Sequence, residues 1–422
     1  MAWNNIIHHL SSIKHHPSTL CHLTSYISKH IIHHPSNIIL KLVKSSNKIV
    51  FLELLKAGLW GTPCQLKQYD AIDWNEVYRL AQEQTVGGLI LAGLELSDVR
   101  PPQGLLLQWI GDLQRLEQIN KGMNSFIVEL MTFLENADVT AVLVKGQGIA
   151  QCYDKPEWRS CGDIDLLLDE ENYEKAFKVL SPRASEVGIL CEYNAHQPLT
   201  IDGWEVELHG SLRNTMWKEV NNLIDSVQES VLKNQNFREW TNGDKQIKLP
   251  RANEDVIFVF FHILQHLFES GIGLRQICDW CRLLWTYKDE IDRNLLEQRL
   301  KQAKSLSEWR AFAALAVDYL GMPESAMPLY KTSQSLHRKS ERILSFVFEM
   351  GNMGHNKDYF SPSHKQHPLV IKKVLDISTS IHKKIQFFSL FPLDSLKLST
   401  QVLSAYLKRF AELCAQITHA KI

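Results

Sequence analysis

The stretch Gly162-Asp163-Ile164-Asp165-Leu166-Leu167-Leu168 places two carboxylates two residues apart, directly after a glycine and ahead of three leucines. Side chains alternate between the faces of a strand, so Asp163 and Asp165 share one face and Ile164 takes the core side. Two parallel carboxylates at a strand's start can hold a hard divalent cation such as Mg²⁺, which takes oxygen ligands. The same pair also suits a loop-to-strand junction with two solvated aspartates. A second alternating stretch, Trp204-Glu205-Val206-Glu207-Leu208-His209, sets Glu205, Glu207 and His209 on one face and Val206 and Leu208 on the other. Where the two stretches pair as neighbouring strands, Glu207 joins Asp163 and Asp165. Three such carboxylates suit two divalent ions about 3.5–4 Å apart, the arrangement of in-line phosphoryl displacement. Glu207 then either ligates metal or accepts the proton of the attacking hydroxyl. Read alone, the second stretch is equally the solvated acidic face of an antiparallel sheet.

Phosphate chemistry also needs cations and exposed backbone N–H groups. Val142-Leu143-Val144-Lys145-Gly146 ends a short apolar run at a small residue just before a helix, where an N–H can approach a phosphate. Lys145 adds a point charge, and Arg159, four residues before Asp163, offers a fork for bidentate phosphate contact. No G-x-x-x-x-G-K-[ST] loop occurs there.

The surrounding pattern supplies the elements that hold these residues. Thr140–Val144 reads as a strand, Gly148–Tyr153 as a helix of about two turns, and Glu170–Leu180 as an amphipathic helix capped by Asp169. Strand-like pieces follow at Gly188–Tyr193, Pro198–Ile201 and Trp204–His209, with Asp202-Gly203 a hairpin turn between the last two. The order β-α-β-α-β-β-β is an α/β-type core within an otherwise helical chain, an α+β protein. Four regions are expected. Residues 1–48 form a His-rich basic extension that is poorly ordered. Residues 49–137 are helical, 138–212 form the core, and 213–422 are helical again.

Lys145-Gly146, Arg159-x-x-Gly162-Asp163-Ile164-Asp165-Leu166-Leu167-Leu168 and Glu207-Leu208-His209 together resemble the nucleotidyltransferase superfamily of DNA polymerase β type. Within it the chain is similar to a bacterial group of largely uncharacterised nucleotidyltransferases, with L-K-G, R-x-x-x-D-I-D-L-L-V and an acid-x-His strand. Pro250–Asp255, His262-x-x-x-His266 and Leu274-Arg275-x-x-x-Asp279 fit the helical region of that group. The resemblance implies a small mixed sheet with helical flanks. It also implies transfer of a nucleoside monophosphate from an NTP to a hydroxyl acceptor, a small molecule or a protein, with Mg²⁺ or Mn²⁺. Asp163, Asp165 and Glu207 carry over as catalytic metal ligands, and Lys145, Gly146, Arg159 and Gly162 as the nucleotide-binding side. Where the superfamily has Gly-Ser in the phosphate turn, this chain has Lys145-Gly146-Gln147. That departure keeps a second reading in play, a nucleotide-binding or regulatory protein on the same fold without turnover.

Bulk properties are those of an ordinary soluble globular protein. The 422 residues are 45% hydrophobic and 22% charged, with a formal net charge of −1. Near-neutral charge argues against binding long nucleic acid, and no run of 18 apolar residues suggests a membrane span. The eight cysteines are scattered and read as reduced thiols of a cytoplasmic protein, Cys278 and Cys281 as packing residues. Eight of the 18 histidines fall between His8 and His34, in a segment with lysines and no acid, open to metal binding or targeting readings. His262 and His266, four apart on one helix face, are expected to be core or inter-helix histidines rather than zinc ligands, while the family resemblance implies that they could approach the nucleotide. Phe387–Pro392 is expected to dock on the core rather than on a membrane.

Overall fold

A computed structural model describes residues 46–351, apart from 192 and 270, together with Phe391. The expectation for residues 1–48 therefore falls almost wholly outside the described residues, and Phe387–Pro392 does so except for Phe391. That phenylalanine is buried, with its ring edge-on to Phe268 at 5.8 Å.

The chain opens with α1 (Ser46–Trp60), α2 (Trp74–Glu83), α3 (Gly87–Glu95) and the long α4 (Gln103–Asn136). Asp73 caps α2 by accepting the N–H groups of Asn75 and Glu76. Helices α1 and α3 cross at bare backbone. A Cβ on Gly58 would lie 1.9 Å from Leu89 O, and one on Gly93 would lie 2.0 Å from Leu54 O. Gly93→Ala must push the two helices apart, so it should lower stability by about 1–3 kcal/mol or more, read as a shift in the urea midpoint.

The core follows as β1 (Val142–Val144), α5 (Gly146–Ala150), β2 (Asp163–Leu167), α6 (Glu170–Leu180), β3 (Glu186–Val187), β4 (His196–Ile201) and β5 (Trp204–His209). Asp169 caps α6 through the Asn172 N–H. The five strands form one mixed sheet in the order β1-β2-β5-β4-β3. Strand β2 runs antiparallel to β1 and parallel to β5, while β4 is antiparallel to β5 across the Asp202-Gly203 turn. Both turn residues have positive φ, 51° and 83°, as a type I′ hairpin demands. One sheet face buries Ile164, Leu166, Leu199, Ile201, Val206 and Leu208 against Met123, Phe126, Ile127 and Leu130 of α4 and Ala176 and Leu180 of α6. The other face carries the acidic side chains.

Three local expectations are corrected. Gly188–Tyr193 is not a strand: β3 ends at Val187, and Cys191 makes only an isolated bridge to His196. Pro198 accepts the Gly188 N–H but has no N–H to return, and the Gln197 amide donates to the Gly188 carbonyl, which ends the ladder. Helix α5 starts at Gly146 rather than Gly148. Within the region expected to be helical, α7 (Lys218–Leu232) is followed by a hairpin, β6 (Phe237–Asn242) and β7 (Lys245–Pro250). Ile247 and Leu249 of that hairpin join the core under the sheet.

Helices α8 (Ala252–Glu269), α9 (Leu274–Thr286), α10 (Arg293–Gln302), α11 (Leu306–Asp318) and α12 (Gln334–Met350) complete the described chain. They share a larger apolar core with α1 to α3 and α7, into which Val142, Val144 and Leu167 of the sheet also project. The fold is thus α+β, with a small mixed sheet between helical regions. Among the described residues no helix is long and apolar enough to cross a membrane.

Candidate active site

The register of β2 on β5 decides which acidic groups meet. Asp163 lies opposite Glu205, and Asp165 opposite Glu207. Carboxylate oxygens of Asp163, Asp165 and Glu207 all come within 4.8 Å of one another. Glu205, at the strand's outer end, is exposed. The three carboxylates open into a cavity of about 290 Å³ that is also lined by Lys145, Gly146, His209, His262, His266 and Arg275. A smaller, more apolar cavity of about 160 Å³ between α1, α3 and Trp158 contains no member of the carboxylate cluster. The ion-binding chemistry belongs to the larger one.

Asp165 is the buried centre of the cluster, with 1% of its surface exposed. Its Oδ1 receives Lys145 Nζ at 2.8 Å and stands 2.8 Å from His209 Nε2. Its Oδ2 is buried and has no hydrogen-bond partner. An orphaned carboxylate oxygen inside a protein costs free energy unless a proton donor or a cation meets it. The donor set around it, oxygens from three carboxylates, fits a hard divalent ion.

The electrostatics agree. Asp165 beside it, and burial after that, push the Asp163 carboxyl above its ordinary range. Burial opposes charge on Lys145, but Asp165 and Asp163 outweigh it and keep the ammonium charged. Burial would push Glu207 up, yet His196 and His209 beside it hold its carboxyl well below the usual range. Contacts with Asp165 and Glu207 likewise raise His209 against its burial. Because Asp163 titrates high when folded, its contribution to stability is present at low pH and is lost as pH rises through the raised value. At neutral pH its charge is a net cost. Asp163→Asn should therefore melt at a higher temperature than the unsubstituted protein without divalent ions, and Mg²⁺ should then add less stability, both read by calorimetry.

Lys145 sits at φ 58°, ψ −144°, an unusual backbone for a residue with a side chain. The next residue, Gly146, is also at positive φ, 41°, and a Cβ there would meet Asp163 O at 3.3 Å. Gln147 faces away from the cavity and donates to Asn120 Oδ1 at 3.0 Å. Gly162 is exposed ahead of β2 and does not line the cavity.

Arg159 lines the cavity wall, but its fork is turned to Asp279 of α9. Nε and Nη2 each donate to the carboxylate at 2.8 Å, and Nη1 reaches Ser160 O and Cys161 Sγ, each at 3.2 Å. Tyr153 donates to the same carboxylate at 2.7 Å, and Asn120 Nδ2 holds the Arg159 carbonyl at 2.8 Å. Arg159 thus fixes the loop that leads into β2, in place of the free phosphate fork expected from its spacing. Besides Lys145, a second arginine stands at the cavity, Arg275, anchored by Nη1 to Ser160 O at 2.7 Å and with Nε buried and without a partner. Its spacing to Asp279 was the only signal for it.

His262 and His266 of α8, expected to be core or inter-helix histidines, are partly buried and also line the cavity, because α8 lies across the acidic face. Burial, and then Lys145, lower both imidazoles below the ordinary value. His196 of β4 is a site residue absent from the sequence reading. It stands directly opposite His209. Cys278 and Cys281 are buried in α9, as packing residues should be.

A family model described as an uncharacterised nucleotidyltransferase matches residues 70–321, more than half of the chain. No curated protein and no solved structure matches it.

Proposed function

We propose that this chain, which belongs to that uncharacterised nucleotidyltransferase family, is a metal-dependent enzyme that transfers a nucleoside monophosphate from an NTP to a hydroxyl acceptor. The observation that carries the proposal is the convergence of Asp163, Asp165 and Glu207 around a buried carboxylate oxygen with no partner. A divalent ion held there supplies charge neutralisation on the triphosphate and acidifies the attacking hydroxyl. The acceptor oxygen forms a bond to the α-phosphorus, the bond to the bridging oxygen breaks, and pyrophosphate leaves with that electron pair.

The chain's own groups divide the rest. A carboxylate held as low as Glu207 is a weak base, so its role is to ligate rather than to take the proton. His266, which lines the cavity and whose buried Nδ1 has no hydrogen-bond partner, is placed to accept that proton. Lys145 and Arg275 provide the positive charge against the phosphates. Gly146, at the start of α5, lines the cavity beside the metal ligands, where its backbone N–H can meet a phosphate oxygen.

One observation favours a second reading. Lys145 Nζ already pairs with Asp165 Oδ1 at 2.8 Å, so the chain itself places a cation beside a proposed metal ligand. A protein that binds Mg²⁺–NTP without turnover fits that contact too. Equilibrium binding of each NTP with Mg²⁺, followed by pyrophosphate release over a broad panel of hydroxyl acceptors, separates the two. The enzyme reading expects acceptor-dependent pyrophosphate release. Tight NTP binding with no release across the panel would favour the binding protein.

A further inference from the structure

Beside the three carboxylates, the same sheet face carries a second set of donors that no step above uses. His196 and His209 are paired across β4 and β5, in a register fixed by the two-residue turn at Asp202-Gly203. Their rings stack, with centroids 4.8 Å apart and planes 21° apart. Both Nε2 atoms approach Glu207 Oε2, at 3.0 Å from His196 and 3.5 Å from His209. The His196 contact is not a hydrogen bond, since its Nε2 is buried and has no hydrogen-bond partner. A buried ring nitrogen poorly aligned for a hydrogen bond to its nearest carboxylate oxygen is costly, and a shared cation removes that cost. The separations match the edge, about 3.3–3.4 Å, of a tetrahedron whose metal–ligand bonds are about 2.0–2.1 Å. Ligand atoms of His196, Glu207 and His209 all lie within 4.8 Å of one another.

We propose that His196, His209 and Glu207 form a second metal position, selective for a borderline ion of the Zn²⁺ class, next to the oxygen-only position of Asp163 and Asp165. Imidazole nitrogens favour Zn²⁺ over Mg²⁺, and two histidines with one carboxylate leave a coordination position open to a water or a substrate oxygen. Asn194 Oδ1, another buried acceptor with no partner, lines the same cavity. When the position fills, His209 Nε2 turns from Asp165 to the ion, and Asp165 keeps its contact with Lys145. Glu207 bridges the two positions. The proposal rests on Glu207 acting as a metal ligand, as in the function proposed above, but not on transfer itself.

The test follows one histidine. Metal-stripped full-length protein is treated with diethyl pyrocarbonate, and modification of His196 is read by peptide mass spectrometry without metal, with micromolar Zn²⁺ and with millimolar Mg²⁺. Reading His196 alone keeps His8 to His34 out of the measurement. Zn²⁺ should slow modification of His196 by at least about tenfold, because ligation occupies the lone pair the reagent needs, whereas Mg²⁺ should leave it unchanged. Protection should persist in Asp163→Asn and vanish in Glu207→Gln. Equal modification with and without Zn²⁺, equal protection by Mg²⁺, or protection lost in Asp163→Asn overturns the proposal. The unsubstituted protein alone decides the matter if Glu207→Gln does not fold. Zn²⁺ protection in a protein that transfers no nucleotide would keep this site and refute the transfer; transfer without protection would do the reverse.

Discussion

Asp165→Asn is expected to lower nucleotidyl transfer by on the order of 10³-fold, which corresponds to about 4 kcal/mol of transition-state stabilisation. The substitution keeps the volume of a side chain that is 1% exposed, so the sheet should still form. What it removes is charge. Lys145 Nζ and His209 Nε2 now meet at Asp165 Oδ1, and Oδ2 is the unpartnered oxygen proposed to face the ion. An amide cannot ligate a hard cation with the strength of a carboxylate, and Asp163 and Glu207 are left to hold it. Single-turnover pyrophosphate release, with Mg²⁺ binding measured on the same sample, reads the effect. Activity within tenfold of the unsubstituted protein would remove Asp165 from the metal site.

The second large effect falls on stability. Asp279→Ala should cost about 3–5 kcal/mol, because it strands the Arg159 guanidinium in the interior. Arg159 and Asp279 are both buried, joined by two 2.8 Å hydrogen bonds, and the Tyr153 hydroxyl would lose its acceptor as well. The pair Arg159→Met/Asp279→Leu should recover much of that loss, since it removes both charges together. Urea unfolding of the two single variants and the double variant checks this. A double variant as unstable as the sum of the singles would contradict the account of a mutually dependent buried pair.

How far these features could be read from the sequence depended on how local their signals are. The acidic face of the sheet was legible because strand alternation needs only the order Asp163, Ile164, Asp165 and the order Glu205 to His209. Their pairing could be stated only as a condition, since nothing in the order of residues says that β2 lies beside β5. The Asp202-Gly203 turn was legible too, and its register already places His196 opposite His209. The strand begins at His196, two residues before the expected Pro198, and so includes that histidine. The hairpin at β6 and β7 carries a turn signal, Asn242-Gly243-Asp244, but it is flanked by helical patterns on both sides. Arg159 shows a harder limit. Its spacing to Asp163 suits a phosphate, but its partner Asp279 lies 120 residues further on and is brought to it only by the packing of α9. For the same reason the cavity-facing roles of His262, His266 and Arg275 emerge only once α8 and α9 are set across the sheet.

The most direct measurement uses two labels. The protein is incubated with Mg²⁺, hydroxyl acceptors and an NTP labelled at either the α- or the γ-phosphate, beside an Asp163→Ala/Asp165→Ala variant. The account predicts that α-label moves to the acceptor, that γ-label appears in pyrophosphate, and that both movements vanish in the variant. Transfer of γ-label to the acceptor, or α-label transfer that survives the double substitution, would contradict it.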